Sequence, residues 1–179
     1  AQRFGTMIFV HPDFPPQVLR KSGDYFTLSE FAFSRNDSDM TLNVPFVRFD
    51  DAADIKITVT TNSNGNNYAT FTTSADFWTP ENVGGRLYLL DKQWYIHEYI
   101  SPTQIVAYTN GAYSVPSASV SDWRECAFGT RRGWPRSITF HQDRLVFGGT
   151  HDWPGGIWMS QVGRHNNFNI GTGLDDEAI

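Results

Sequence analysis

The chain has 179 residues, enough for one ordinary domain or two small ones, and 40% of them are hydrophobic, so a packed core can form. A formal net charge of -5 argues against holding a nucleic-acid backbone by bulk attraction. The sequence shows no secretory signal, and no apolar run in it is long enough to span a bilayer.

Aromatic residues reach 15%, Thr, Val and Ile are frequent, and 15 Gly with 9 Pro supply punctuation for many short strands. No apolar stripe at helical spacing lasts more than two turns, so the class is all-β. In chain order, Met7-Ile8-Phe9-Val10 and Val18-Leu19-Arg20 read as two strands around the turn Asp13-Phe14-Pro15. An Asp side chain bonds the backbone two residues on and Pro fixes φ, so the pair specifies a turn. Tyr25-Phe26-Thr27-Leu28 and Glu30-Phe31-Ala32-Phe33 alternate as a strand with one buried face would. Asn36-Asp37-Ser38-Asp39 resembles half a calcium loop but lacks its glycine and its terminal Glu, so no calcium is expected.

Residues 52–131 differ in character. Asp54-Ile55-Lys56-Ile57-Thr58-Val59-Thr60 alternates strictly, Asn64-Gly65 is a hairpin signal, and Tyr68-Ala69-Thr70-Phe71-Thr72 returns as the partner strand. Further strands are expected at residues 85–89, 93–100 and 104–108, with turns at Asp91-Lys92, Ser101-Pro102 and Asn110-Gly111. About five short strands with tight turns suggest a small barrel. Ser114-Val115-Pro116-Ser117-Ala118-Ser119 reads as a connector. Trp78, Trp94, Tyr95, Tyr99, Tyr108 and Tyr113 all fall in this segment. Gathered on one face they would form an interaction surface for a sugar ring or a partner protein; alternating inward, they would be barrel core. The core reading is favoured for most of them.

The lone cysteine, Cys126, excludes an intrachain disulfide and a cysteine-rich zinc site. Among Trp123, Ala127 and Phe128 it reads as a buried, inert thiol. Arg131, Arg132, Arg136 and Arg144 cluster in sequence and read as a solvated face or a set of ion pairs. Val146-Phe147-Gly148-Gly149-Thr150-His151-Asp152-Trp153-Pro154 then echoes the opening hairpin. Laid over it, Asp152 meets Asp13, Trp153 meets Phe14, Pro154 meets Pro15 and Phe147 meets Ile8. Two similar hairpins suit successive blades of a propeller or two halves of a sandwich. Phe168 and Ile170 continue the second copy at strand spacing.

No catalytic residue is expected. Asp175-Asp176-Glu177 are neighbours that a strand would point to opposite faces, unlike a glycosidase pair. His11 with Asp13, and His151 with Asp152, sit beside Pro in turns and read as structural hydrogen bonds. No nucleophile elbow, phosphate loop or dinucleotide fingerprint occurs, so no enzyme activity, cofactor or metal is expected.

The stretch Gly133-Trp134-Pro135-Arg136-Ser137-Ile138-Thr139-Phe140-His141-Gln142-Asp143-Arg144-Leu145-Val146-Phe147-Gly148-Gly149-Thr150 resembles the tail nozzle, or tail tubular protein B-like, family of short-tailed bacteriophages and prophages. Ile157-Trp158-Met159-Ser160, Phe168-Asn169, Asp175-Asp176-Glu177-Ala178-Ile179 and the opening Phe9-Val10-His11-Pro12-Asp13-Phe14-Pro15-Pro16 are similar to the same family. Val83-Gly84-Gly85-Arg86-Leu87 and Ser121-Asp122-Trp123-Arg124-Glu125 resemble a small β-domain inserted in those proteins. That insert is similar in shape to the first catalytic-cysteine half-domain of ubiquitin-activating enzymes, and no ubiquitin chemistry is implied for Cys126.

The resemblance implies a propeller-type body with an insert, in a ring-shaped virion assembly. Expected partners are other virion tail proteins and further copies of a longer parent that forms a homo-oligomeric ring. The insert is expected to meet neighbours, or a host surface glycan or receptor. The expected location is the virion tail, or host cytoplasm before assembly. Both ends of the sequence read as cuts, so a fragment of a longer protein is expected. The expected architecture is a propeller-like or sandwich-like antiparallel sheet from residues 1–51 and 132–179, with residues 52–131 as an inserted small β-barrel. The alternative function is a module that binds or cleaves surface glycan.

Overall fold

The structure, a computed structural model, describes residues 1–3, 5–38, 40–61, 67–111, 117–171 and 176–179. Asp39, the Asn64-Gly65 turn, Tyr113, the Ser114-Val115-Pro116 part of the connector, and Asp175 lie outside the described residues. The protein is all-β, 49% strand and 4% helical, with antiparallel sheets. Among the described residues helix is confined to single turns at Asp50–Ala52 and Pro80–Asn82, and none is long and apolar enough to cross a membrane.

Two compact units divide the chain. The first comprises Ala1–Asn36, Leu42–Pro45 and Phe128–Ile179; the second comprises Asp37–Thr41 and Phe46–Ala127. Their limits differ from the compositional ones at residues 37–41, 46–51 and 128–131, and the last two differences have a visible physical reason. Phe46–Val47 (β5) pairs with Arg124–Cys126 (β12), which draws residues 46–51 into the second unit. Phe128 packs its ring on Phe147 and Trp158, which draws residues 128–131 into the first.

The first unit holds two sheets, one from each chain end, rather than a single sheet. Gln2–Arg3 (β1), Thr6–His11 (β2), Phe14–Ser22 (β3) and Tyr25–Glu30 (β4) form a meander in sequence order. Ser137–His141 (β13), Arg144–Gly148 (β14) and Ile157–Met159 (β15) form a second one. Ile8, Val18, Leu145, Phe147, Trp158 and Phe168 are buried, and Phe147 stacks on Phe168 at 5.2 Å. The two hairpins expected to be copies differ in detail. In the first, Ile8 faces Val18, His11 faces Phe14, and Pro12-Asp13 make the turn, so Phe14 and Pro15 already belong to β3. In the second, Phe147 faces Trp158 and residues 149–156 make a longer connection. The register shift between Phe9 and His11 lies opposite Pro15 and Pro16, whose missing N–H groups cannot complete a regular ladder.

β4 departs from expectation. Its residues are exposed throughout, with Tyr25 at 78%, Phe26 at 64% and Leu28 at 65%, so neither face is buried. Residues 31–33 leave the strand, Phe168 is buried outside any strand, and Ile170 is exposed.

The second unit is built on an eight-stranded curled sheet with the order β11-β6-β7-β10-β9-β8-β12-β5. Beside β5 and β12 its strands are Ile57–Thr61 (β6), Tyr68–Thr73 (β7), Arg86–Leu89 (β8), Lys92–Ser101 (β9), Gln104–Tyr108 (β10) and Ala118–Val120 (β11). Alternation sends Ile57, Val59, Ala69, Phe71, Leu87, Leu89, Trp94, Ile96, Ile105 and Ala107 to one face, where with Trp78 and Trp123 they make the core. Cys126 is half-buried on β12 rather than fully enclosed.

The β8–β9 turn is Leu90-Asp91, with φ of 53° and 55°, the left-handed pair of a type I′ hairpin. Asp91 is exposed and carries a side chain in a region that favours glycine. Asp91→Gly is therefore expected to raise stability by about 0.5–1 kcal/mol, seen as a higher urea midpoint at unchanged slope.

Candidate interaction surface

The core claims one face of the curled sheet, and the opposite face carries a cross-strand row. Tyr68 on β7 faces Tyr108 on β10, Tyr108 faces Tyr95 on β9, and Tyr95 faces Arg86 on β8. Each residue alternates with a core neighbour, Ala69, Ala107, Trp94 or Leu87, which is why all four point the same way. The ring centroids lie 5.3 Å apart for Tyr68–Tyr108 and 5.1 Å for Tyr95–Tyr108, in tilted geometry. The Arg86 guanidinium lies 5.2 Å from the centre of the Tyr95 ring, and His97 meets Tyr68 edge-on at 5.6 Å. A cation on a Tyr face at such a site contributes about 0.5–1 kcal/mol.

Of the six aromatics singled out in the sequence, the structure brings two together here, Tyr95 and Tyr108. Trp78 and Trp94 are 2% and 0% exposed and belong to the core, so they cannot offer a surface. Trp94 donates Nε1–H to the Leu89 carbonyl at 3.2 Å, whereas the buried Trp78 Nε1 finds no acceptor among the described residues. Tyr99 shares parity with Tyr95 and a regular strand would place both on one face. Register shifts against β10 intervene: Ala107 faces Ile96, Val106 faces Glu98 and Ile105 faces Tyr99. The bulge turns Tyr99 to the opposite side, where it packs on the core. Tyr113 lies outside the described residues. Local sequence does not single out Tyr68, Arg86 or His97; once the hairpin register is known, Tyr68 and Arg86 fall directly in the row.

Elsewhere several polar groups are engaged structurally. Arg132 and Arg144, at 4% and 5% exposure, are buried rather than a solvated face. Arg132 pairs with Asp152 at 3.0 Å, and Arg144 donates to the carbonyls of Ser160 and Glu177. Burial pushes the Asp152 carboxyl up, but hydrogen bonds from His151 and Arg132 and the Arg132 charge outweigh it and hold the group below the usual carboxylate range. His11 accepts the Asp13 N–H at 3.3 Å and stacks on Phe14. Among the described residues no three His, Cys, Asp or Glu side chains gather where a metal ion could be held.

No protein-family model matches this sequence, and no curated protein shows significant similarity to it. The class that stands on the structure is an antiparallel all-β protein of two units.

Proposed function

We propose that the chain is a non-catalytic structural piece of a bacteriophage or prophage tail, of the nozzle or tail-tube type, acting through protein–protein assembly in the virion. The observation that carries this reading is β4. It ends its sheet's strand order and bares Tyr25, Phe26 and Leu28, an apolar strand edge that a monomeric protein would blunt with charge or cover. The stretch that resembles the tail family supports the same reading. Its Arg144, Leu145 and Phe147 are buried, and Arg144 is used to tie backbone together rather than offered to a substrate. The four-strand meander β1–β4 suits one blade of a propeller, and the curled sheet of the second unit suits an inserted barrel-like domain.

A second reading, a glycan-binding module, draws on the row Tyr68, Tyr108, Tyr95 and Arg86, since tyrosine rings beside a guanidinium suit the faces and hydroxyls of a sugar. The assembly reading is preferred because these rings are half-buried against one another, whereas β4 is bare.

Light scattering and negative-stain imaging of the 179-residue chain and of the longer parent product test the proposal. The chain is expected to be monomeric or weakly associated at about 10 µM, and the parent to form closed rings. Phe26→Lys with Leu28→Lys in the parent is expected to weaken assembly at least about tenfold. A parent that stays monomeric, or rings indifferent to both lysines, would overturn the reading of β4.

A further inference from the structure

Within the first unit a cleft of about 560 Å³ opens over the face of the four-stranded sheet. Ile8 and Val18 form part of its lining and are buried, and Phe31 and Phe140 add aromatic surface. Thr6 and Asn166 supply hydrogen-bonding groups. The volume is that of a small-molecule site, and its lining is apolar and polar in similar measure.

The charges around it are unbalanced. Arg20 and Arg164 both line the cleft and both are exposed. Neither guanidinium has an ion pair or hydrogen bond among the described residues, in contrast to Arg132 and Arg144. The remaining ionisable groups facing the cleft are Asp143 and His165, and these face each other: His165 Nε2 lies 3.5 Å from the Asp143 carboxylate and 3.1 Å from the Asp143 carbonyl oxygen. The His165 ring also meets Phe140 edge-on at 5.2 Å. Asp143 is thus held on the His165 side, and two guanidinium groups unengaged among the described residues remain beside Ile8, Val18, Phe31 and Phe140.

We propose that this cleft binds a small amphipathic carboxylate, with an aromatic or branched-alkyl body lying on Ile8, Val18, Phe31 and Phe140 and its carboxylate met by Arg20 and Arg164. A guanidinium presents a planar fork of donors that matches a carboxylate, and a bond between two charged groups is stronger than a neutral one. The site is independent of β4 and of the assembly reading, so either can fail without the other.

Titration with 3-phenylpropanoate, followed by amide NMR shifts of the labelled chain, tests it, with 3-phenylpropanamide as the uncharged isostere. Saturable shifts at Ile8, Val18, Phe31 and Phe140 are expected, with the amide at least about fivefold weaker. Arg20→Gln and Arg164→Gln are each expected to weaken the carboxylate about fivefold to tenfold, the amide being unaffected, since a charge-assisted bond contributes on the order of that factor. Both side chains are exposed and have no ion pair or hydrogen bond among the described residues, so the variants should fold, and Arg20→Lys and Arg164→Lys should keep part of the affinity. Equal binding of carboxylate and amide, indifference to the double Gln variant, or no saturation at millimolar ligand overturns the proposal.

Discussion

Trp94→Ala is expected to cost about 3–5 kcal/mol. The ring is fully buried, meets Phe71 edge-on at 5.0 Å, and donates to the Leu89 carbonyl. Removing it opens a cavity at the centre of the curled sheet and strips a buried carbonyl of its donor. The next residue gives the contrast. Tyr95 stands on the opposite face, half-buried, so Tyr95→Ala should cost about 1 kcal/mol through lost ring contacts and the lost Arg86 partner. Trp78→Phe supplies a second contrast. Its Nε1 has no acceptor among the described residues, so exchanging the indole for a phenyl removes an unsatisfied donor while keeping most of the packing. That change should lie within about 1 kcal/mol of neutral. Urea unfolding followed by far-ultraviolet circular dichroism ranks the three. If Trp94→Ala costs no more than Tyr95→Ala, the core face has been assigned the wrong way round.

That assignment shows what local sequence can carry and where it stops. Strict alternation in Ile57-Thr58-Val59-Thr60 and Tyr68-Ala69-Thr70-Phe71 is enough to find β6 and β7, because period two has one structural cause. It puts Trp94 and Tyr95 on opposite faces without saying which face is core, which the structure assigns to Trp94. It fails at Tyr99, since a bulge leaves no mark in composition and reverses the facing of the residues beyond it. It fails again at β4, where Tyr25-Phe26-Thr27-Leu28 reads as half-buried and stands bare. Propensity chose the strand, but burial depends on the surface packed against it, which no local pattern states. The turn signal at Asp91-Lys92 sits one residue late: the two positive φ values fall on Leu90 and Asp91, and leucine is not a turn signal. The arginine cluster is read half correctly: Arg132 does form an ion pair, with Asp152, but neither Arg132 nor Arg144 lies on a solvated face. Charged residues are ordinarily solvated, so the burial of Arg132 and Arg144 becomes visible only with their partners in place. The row Tyr68–Tyr108–Tyr95–Arg86 needs long-range register, which neither hairpin alone supplies.

Asp152→Ala is expected to cost about 3 kcal/mol, because it takes the carboxylate away from a guanidinium that is almost wholly buried. The loop that carries Asp152 cannot easily move to compensate. Gly133 has a φ of 81°, and a Cβ there would lie 2.8 Å from the His151 Cβ and 2.9 Å from the His151 backbone nitrogen, so the two segments are in close contact. Thr150 further fixes the loop by accepting the Trp153 N–H on its hydroxyl at 3.1 Å. The lowered carboxyl also makes stability depend on pH. Its folded value lies below its unfolded one, so the unfolded state binds the proton more readily. The stability it contributes is therefore full above the ordinary carboxylate range, near pH 4, and is lost as pH falls through the lowered folded value. Asp152→Asn lacks that titration while keeping the shape. The stability gap between the natural protein and Asp152→Asn should be constant from about pH 7 to pH 5 and shrink below about pH 4. Urea midpoints across that range decide it. A gap that persists unchanged to about pH 2.5 would mean that the pair contributes through packing and hydrogen-bond geometry alone, and that the charge on Asp152 does not stabilise the fold.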